Sequence, residues 1–199
     1  MGTIANILGG LYTVYHDAYG EALPELDDLE PPAVTIATPG GSWANVGFTD
    51  GDQDIQYEGE WEEDKVNEHN GPVALYLIGE SAKVMVALKE DDMTAWDLGI
   101  AAATLTAVSA GANQTAQDVL TIGDGSAAYK SLLLLGTSPE AGSRVIHVPK
   151  CQVTGSFEIK ATKGQRAGKG LEFTVVTDTT LAAGARLMSI YDITAVASS

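Results

Sequence analysis

Asp54–Glu62 reads DIQYEGEWE, and its alternation decides the class of fold. Ile55, Tyr57, Gly59 and Trp61 occupy the odd positions, and Asp54, Gln56, Glu58, Glu60 and Glu62 the even ones. A period of two with one apolar and one charged side describes a strand with a packed face and a wet face. The wet face is almost entirely carboxylate. Tyr57 and Trp61 are therefore expected to pack inward, because the opposite register would bury a row of acids.

The same period recurs along the chain. Pro72–Ile78 and Ala82–Lys89 read as a strand pair divided at Gly79, with Val84, Val86 and Leu88 on one face. Gln152–Lys160 alternates with Val153, Gly155, Phe157 and Ile159 inward, and Leu171–Thr177 follows, rich in β-branched residues. Between them KGQRAGKG, Lys163–Gly170, reads as a basic, glycine-rich hairpin loop. Arg144–Val148 and Arg186–Thr194 read as further strands, Val119–Ile122 as a short one and Leu132–Leu135 as one buried on both faces. One helix is expected after Asp91 or Asp92, ending near Leu105, with Met93, Trp96, Ile100 and Ala103 on one stripe. Tyr19–Pro39, with four prolines and an acidic DDLE run, reads as an arm. The expected class is mainly β: two packed antiparallel sheets, as a sandwich or barrel, with one flanking helix and long loops or arms.

The 199 residues suffice for a single domain over 1–199 with a sizeable core. One cysteine, Cys151, excludes an intrachain disulfide framework and favours a reducing compartment. No basic leader precedes an apolar run, and no run approaches a bilayer span, so cytosolic synthesis and no membrane association are expected. The net charge is −16 and unevenly spread. Residues 1–70 hold fifteen acids and one base (Lys65), a net of −14, whereas residues 144–199 hold four acids and seven bases, a net of +3. Such an acidic first third repels nucleic acid. It also suggests neighbouring copies meeting acid to base.

Motifs for catalysis or cofactor binding fail on spacing, so no enzyme activity, cofactor or metal is expected. His16, His69 and His147 have no second ligand at a metal spacing and are expected to be surface or hydrogen-bonded residues. Cys151 has no sequence-neighbouring histidine and reads as a small strand residue. Asp50, Asp52 and Asp54 imitate a calcium loop, but Ile55 and Trp61 stand where its glycine and bidentate glutamate belong. Gly164–Gly170 lacks the spacer and hydroxyl residue of a phosphate loop. The even acids of Asp54–Glu62 share one uniform environment, whereas an acid–base pair needs two unlike ones.

The order of these features resembles the major tail tube protein of long-tailed bacteriophages. The resemblance rests on Leu11–Gly20 as opening strand and start of an arm, WANVGFTDG at Trp43–Gly51 and IQYEGEWE at Ile55–Glu62. It continues through NGP at Asn70–Pro72, VALYLIGESAKVMVALKE at Val73–Glu90, the helix after Asp92 and the strand–loop–strand Cys151–Asp178. It spans Leu11–Ile193, with Ala112–Lys130 fitting only loosely. It implies six copies closing into a ring, one sheet of each merging into an inner barrel, and rings stacking into a conduit for DNA. Gln56, Glu58, Glu60 and Glu62 are then expected to line the bore, passing DNA without binding it. Trp43, Phe48, Asp50, Asp52, Lys163, Arg166 and Lys169 are expected to make contacts between subunits or rings. An arm at about 19–39 and an inter-ring loop at about 40–54 are expected, with Tyr19–Pro39 and Ala44–Gln53 ordering only in the polymer. Implied partners are further copies and the tape-measure, terminator and tail-tip proteins, in a virion tail assembled in the host cytoplasm. Two other readings stand beside it: a different ring-forming component (a terminator or secretion-type tube), and a non-enzymatic β-sandwich for binding or adhesion.

Overall fold

A computed structural model describes residues 12–24, 39, 41–47, 49–65, 72–88, 93–112, 114–123, 125–138, 142–156 and 169–193. In chain order the elements are β1 (Thr13–Ala18), β2 (Ala44–Asn45), β3 (Thr49–Asp64), β4 (Ala74–Leu88), α1 (Met93–Gly99), β5 (Ala103–Val108), β6 (Gln117–Ile122), β7 (Lys130–Thr137), β8 (Ser143–Val153), β9 (Lys169–Val175) and β10 (Ser189–Ile193). The protein is mainly β, with two antiparallel sheets of unequal size. The large one runs β2-β1-β7-β8-β9-β4-β3, with β10 also on β8, and the small one is β5-β6.

The large sheet curls until its ends meet. Val46 N–H donates to the Val14 carbonyl at 2.9 Å, continuing the pairing of β2 along β1. Farther on, the Gln53 side chain takes the place of a strand's peptide group. Its Oε1 accepts from Tyr12 N–H at 2.7 Å and its Nε2 donates to the Tyr12 carbonyl at 2.5 Å. Ala44–Val46 thus lie along the second edge of β1, and Gln53 of β3 meets the same edge at Tyr12. Closure of this kind covers sheet edges that would otherwise be open.

Packing follows the alternation. Val84, Val86 and Leu88 of β4 point into the barrel with Leu171 and Phe173 of β9, all 2% exposed or less. β7 is buried on both sides, as its four consecutive leucines require. Leu132 and Leu134 enter the barrel core, and Leu133 and Leu135 join Tyr15, Trp43 and Val145 in a second cluster on the outer face. Cys151 is buried in the barrel core, and its Sγ donates to the Lys130 carbonyl at 3.3 Å.

Several expectations are corrected. The helix ends at Gly99, and its buried side is Ala95, Leu98 and Gly99 rather than the Met93–Ala103 stripe. From Ala103 the alternation of Thr104, Thr106 and Val108 with smaller or apolar residues makes a strand instead. Gly79 does not divide two strands. β4 runs through it unbroken, and the pairing with β3 absorbs an extra residue between Glu60↔Gly79 and Trp61↔Leu77. Within the segment expected to order in a polymer, Ala44 and Asn45 pair with β1 and Val46 lies in the core. Strand β8 stops at Val153, and Phe157 and Ile159 lie outside the described residues, as do most of the expected arm and of the Lys163–Gly170 loop.

Candidate assembly interface

β3 and β4 pair along their whole length, from Thr49↔Leu88 to Asp64↔Ala74, but β9 flanks β4 only over Lys83–Leu88. Beyond Tyr57↔Ala82 no other described strand pairs with either one. The distal half is therefore a two-stranded ribbon that continues the barrel wall outward. Eight residues of β3, from Tyr57 to Asp64, project on the order of 26 Å at strand rise.

The pairing register sorts this ribbon into two unlike faces. Residues directly opposite in an antiparallel pair share a face. One face continues the core positions Ile55 and Val84 outward through Tyr57 with Ala82, Gly59 with Glu80, Trp61 with Leu77, and Glu63 with Leu75. The other carries Gln56 with Lys83, Glu58 with Ser81, Glu60 with Gly79, Glu62 with Tyr76 and Asp64 with Ala74. The odd–even division read from the sequence is thus the division of faces. The inward packing of Tyr57 and Trp61 is not found: they are 57% and 58% exposed, and Leu75, Leu77 and Ile78 are exposed beside them. The reason is positional, since the apolar stripe runs past the end of the core, beyond the last described strand that flanks the ribbon.

The apolar face has internal order. A Cβ placed on Gly59 would stand 3.1 Å from both Trp61 Nε1 and Leu77 Cδ1, so the missing side chain lets indole and leucine close over the backbone. The Tyr57 hydroxyl donates to Glu80 Oε1 at 2.6 Å, and that hydrogen bond raises the phenol above its ordinary range. On the acidic face, Lys83 Nζ donates to Glu172 Oε1 of β9 at 2.7 Å. Lys65 pairs with Glu63 at 2.6 Å, so neither base neutralises Glu58, Glu60 or Glu62.

Of the remaining expected contact residues, Trp43 alone is described with its side chain. Trp43 is buried in its own chain, where Nε1 donates to the Ala22 carbonyl at 3.3 Å and its ring meets His147 edge-on. Only 6% of Trp43 is left exposed for a neighbour. The backbones of Asp50 and Asp52 lie in β3 where its register shifts, and Lys169 pairs with Leu88 in β9; their side chains are outside the described residues. Phe48, Lys163 and Arg166 also lie outside them.

The histidines depart from expectation. His16 Nδ1 and Nε2 and His147 Nε2 are buried without a hydrogen-bond partner. His16 lies on β1 opposite Leu132, and His147 on β8 opposite Leu133, so the two flank β7. Burial lowers both pKa values, with Lys130 adding to the effect at His16 against the opposing charges of Asp17 and Asp97. His69 lies outside the described residues. Gln53 was legible as an anomaly: it is the polar member of the odd series that continues as Ile55, Tyr57, Gly59 and Trp61. Among the described residues, no three His, Cys, Asp or Glu side chains converge as a metal site requires.

Comparison of the chain with protein-family models and with curated protein sequences gives no match.

Proposed function

We propose that this chain is a non-enzymatic structural subunit that polymerises as stacked rings into a hollow conduit for DNA, the tube of a phage tail. The observation that carries the reading is the projecting β3/β4 ribbon, apolar and exposed among the described residues on one face and lined with carboxylates on the other. Its exposed aromatic and aliphatic side chains amount to an apolar patch on the order of 400–500 Å², the size at which patches on a monomer commonly mark an interaction site. Burial would contribute roughly 10 kcal/mol per copy before the costs of association. Head-to-tail repetition of one contact closes into a ring, and stacking extends rings into an open polymer. With the apolar face turned to a neighbouring copy, Glu58, Glu60 and Glu62 face away from it, into the bore. A carboxylate-lined bore repels phosphate and lets DNA pass without retention. Further copies are the first partners of this surface, and the tape-measure, terminator and tail-tip proteins of a virion tail are the partners of the finished tube.

Replacing Glu58 and Glu60 together with lysine tests the reading. The subunit should fold with a stability change under about 0.5 kcal/mol, since both positions are exposed. Its tubes should retain DNA, and retention should weaken with salt through counterion release. Loss of folding, or tubes that pass DNA as the parent does, would overturn the assignment of this face to the bore.

A further inference from the structure

The outer face of the large sheet carries a thin layer made from two pieces of chain. Residues 19–24 follow β1, and residues 41–43 lead into β2. Trp43 belongs to the outer cluster of Tyr15, Leu133, Leu135 and Val145, and Leu23 packs against it. The layer's described backbone and indole bonds are long. Tyr19 N–H donates to the Tyr129 carbonyl at 3.3 Å, Glu21 N–H to the Ala18 carbonyl at 3.4 Å and Trp43 Nε1 to the Ala22 carbonyl at 3.3 Å. The Ser42 hydroxyl adds a bond of 2.5 Å to Asp17 on the exposed side. Tyr19, with the Lys150 ammonium 4.9 Å from its ring, is the fixed end of the first piece, and Val46 in the core is that of the second. His147 stands beneath the layer. It lies on β8 opposite Leu133 of the outer cluster, so its ring is on the outer face. The Trp43 ring meets it edge-on with centroids 6.2 Å apart, and Nε2 is buried with no hydrogen-bond partner. A cavity of about 410 Å³ reaches His147 between residues 19–23 and β10. The titratable groups that share it are Tyr19, Glu21, Asp178 and Tyr191, and none of them bonds to Nε2. Asp178 Oδ1 instead accepts from the Thr180 N–H and hydroxyl, at 2.9 and 2.6 Å. The bases on the same strand, Arg144 and Lys150, are engaged with Asp192 and with the Tyr19 and Tyr129 rings.

We propose that His147 is a proton-operated latch: when its ring takes up a proton, the layer of residues 20–23 and 41–43 lifts from the outer face while the barrel stays closed. This inference is independent of the assembly reading. An imidazolium carries a donor at both nitrogens, and the closed layer offers Nε2 no acceptor. Keeping that charge under an apolar cover costs more than opening a layer tied by a few long bonds. Burial lowers the ring's pKa in the closed state. In the open state the ring titrates near its ordinary value of 6.5. Closure is therefore fully favoured above about pH 6.5, and the opening equilibrium rises about tenfold for each pH unit below it, down to the closed-state pKa. Opening bares Leu133 and Leu135, both buried in the closed layer, on the outside of the sheet.

Exchange of the Trp43 indole N–H, followed by NMR in the full-length subunit and compared with free indole at each pH, tests the latch. Its protection should fall about tenfold per pH unit from about pH 6.5 to 5. It should also be nearly independent of urea well below the unfolding midpoint, as a local opening requires, whereas the Leu134 amide in the barrel wall should exchange through a urea-dependent opening. His147→Gln should remove the pH slope of the Trp43 exchange, and His16→Gln should leave it in place. His147→Phe, which keeps a ring without a titrating nitrogen, gives the same reading where the glutamine variant does not fold. A slope that survives in either His147 variant, one that is lost in His16→Gln, or a parent without a slope overturns the latch. Protection that rises in acid, as an imidazolium held against the indole would give, also overturns it. So does Trp43 exchange that follows urea as Leu134 does, because the layer would then open only with the whole domain.

Discussion

Replacing Gln53 with leucine removes the groups that join the two ends of the large sheet while keeping the side chain's bulk. Tyr12 N–H then loses its acceptor at 2.7 Å and the Tyr12 carbonyl its donor at 2.5 Å. Leaving a buried polar group unsatisfied costs about 1–3 kcal/mol. With two groups in a part-buried seam, the expected loss is about 2–4 kcal/mol. For a urea slope of about 2 kcal/mol/M, the midpoint should fall by roughly 1–2 M. Gln53→Glu separates the two bonds. Its ionised carboxylate still accepts from Tyr12 N–H but faces the Tyr12 carbonyl oxygen with no hydrogen to donate. The deficit should shrink as pH falls and that carboxyl becomes protonated, against a parent measured at each pH. Urea titration of the unassembled subunit is the assay. A Gln53→Leu midpoint within about 0.3 M of the parent would refute the reasoning, because the seam would then be held by other contacts.

Three further outcomes follow from the buried groups and the ribbon. Burial lowers the pKa values of His16 and His147; below the unfolded value near 6.5 the unfolded chain takes up protons that the native one refuses, so stability should fall as pH drops from about 7 to 5. Substituting both histidines with glutamine should flatten that slope in urea midpoints, and an unchanged slope would contradict the assignment. Burial pushes the Cys151 thiol up to about 12, so a thiol reagent at pH 8 should label it only as fast as the chain unfolds; immediate labelling of native protein would count against the buried placement. Gly59→Ala sets a methyl 3.1 Å from the Trp61 indole; it should shift Trp61 fluorescence and weaken assembly while changing subunit stability by less than about 1 kcal/mol, and an unaltered assembly would show that the indole's position is immaterial.

How much was legible in the sequence depends on what each signal encodes. A period of two states which side chains share a face, and that reading holds along β3 and along Ala82–Leu88 of β4. It does not state where the core ends. Tyr57 and Trp61 sit on the face the alternation assigned them but beyond the last strand that could cover it, because coverage is a matter of sheet order. The same limit explains the helix. The apolar spacing from Met93 to Ala103 fits a helical stripe, yet the helix ends at Gly99 and a turn closed by Ala103 N–H on the Ile100 carbonyl carries the chain into β5. Gly79 read as a break because glycine usually interrupts a strand, whereas here the ladder accommodates an extra residue beside it. The closing role of Gln53 depends on a contact with Tyr12, 41 residues away, which no local pattern records. The carboxylate face needed only composition and alternation, and it was complete in the sequence.

The β3/β4 ribbon is the proposed interface of the tube. Cryo-electron microscopy of the purified full-length protein, across concentrations and salt, tests this most directly. The expected images are rings or stacked-ring tubes in which the ribbons line the bore, with Glu58, Glu60 and Glu62 toward the axis and Trp61 and Leu77 covered by the adjacent copy. A monodisperse monomer under every condition, or a polymer whose ribbons stand on the outer surface with Trp61 and Leu77 still uncovered, would contradict it.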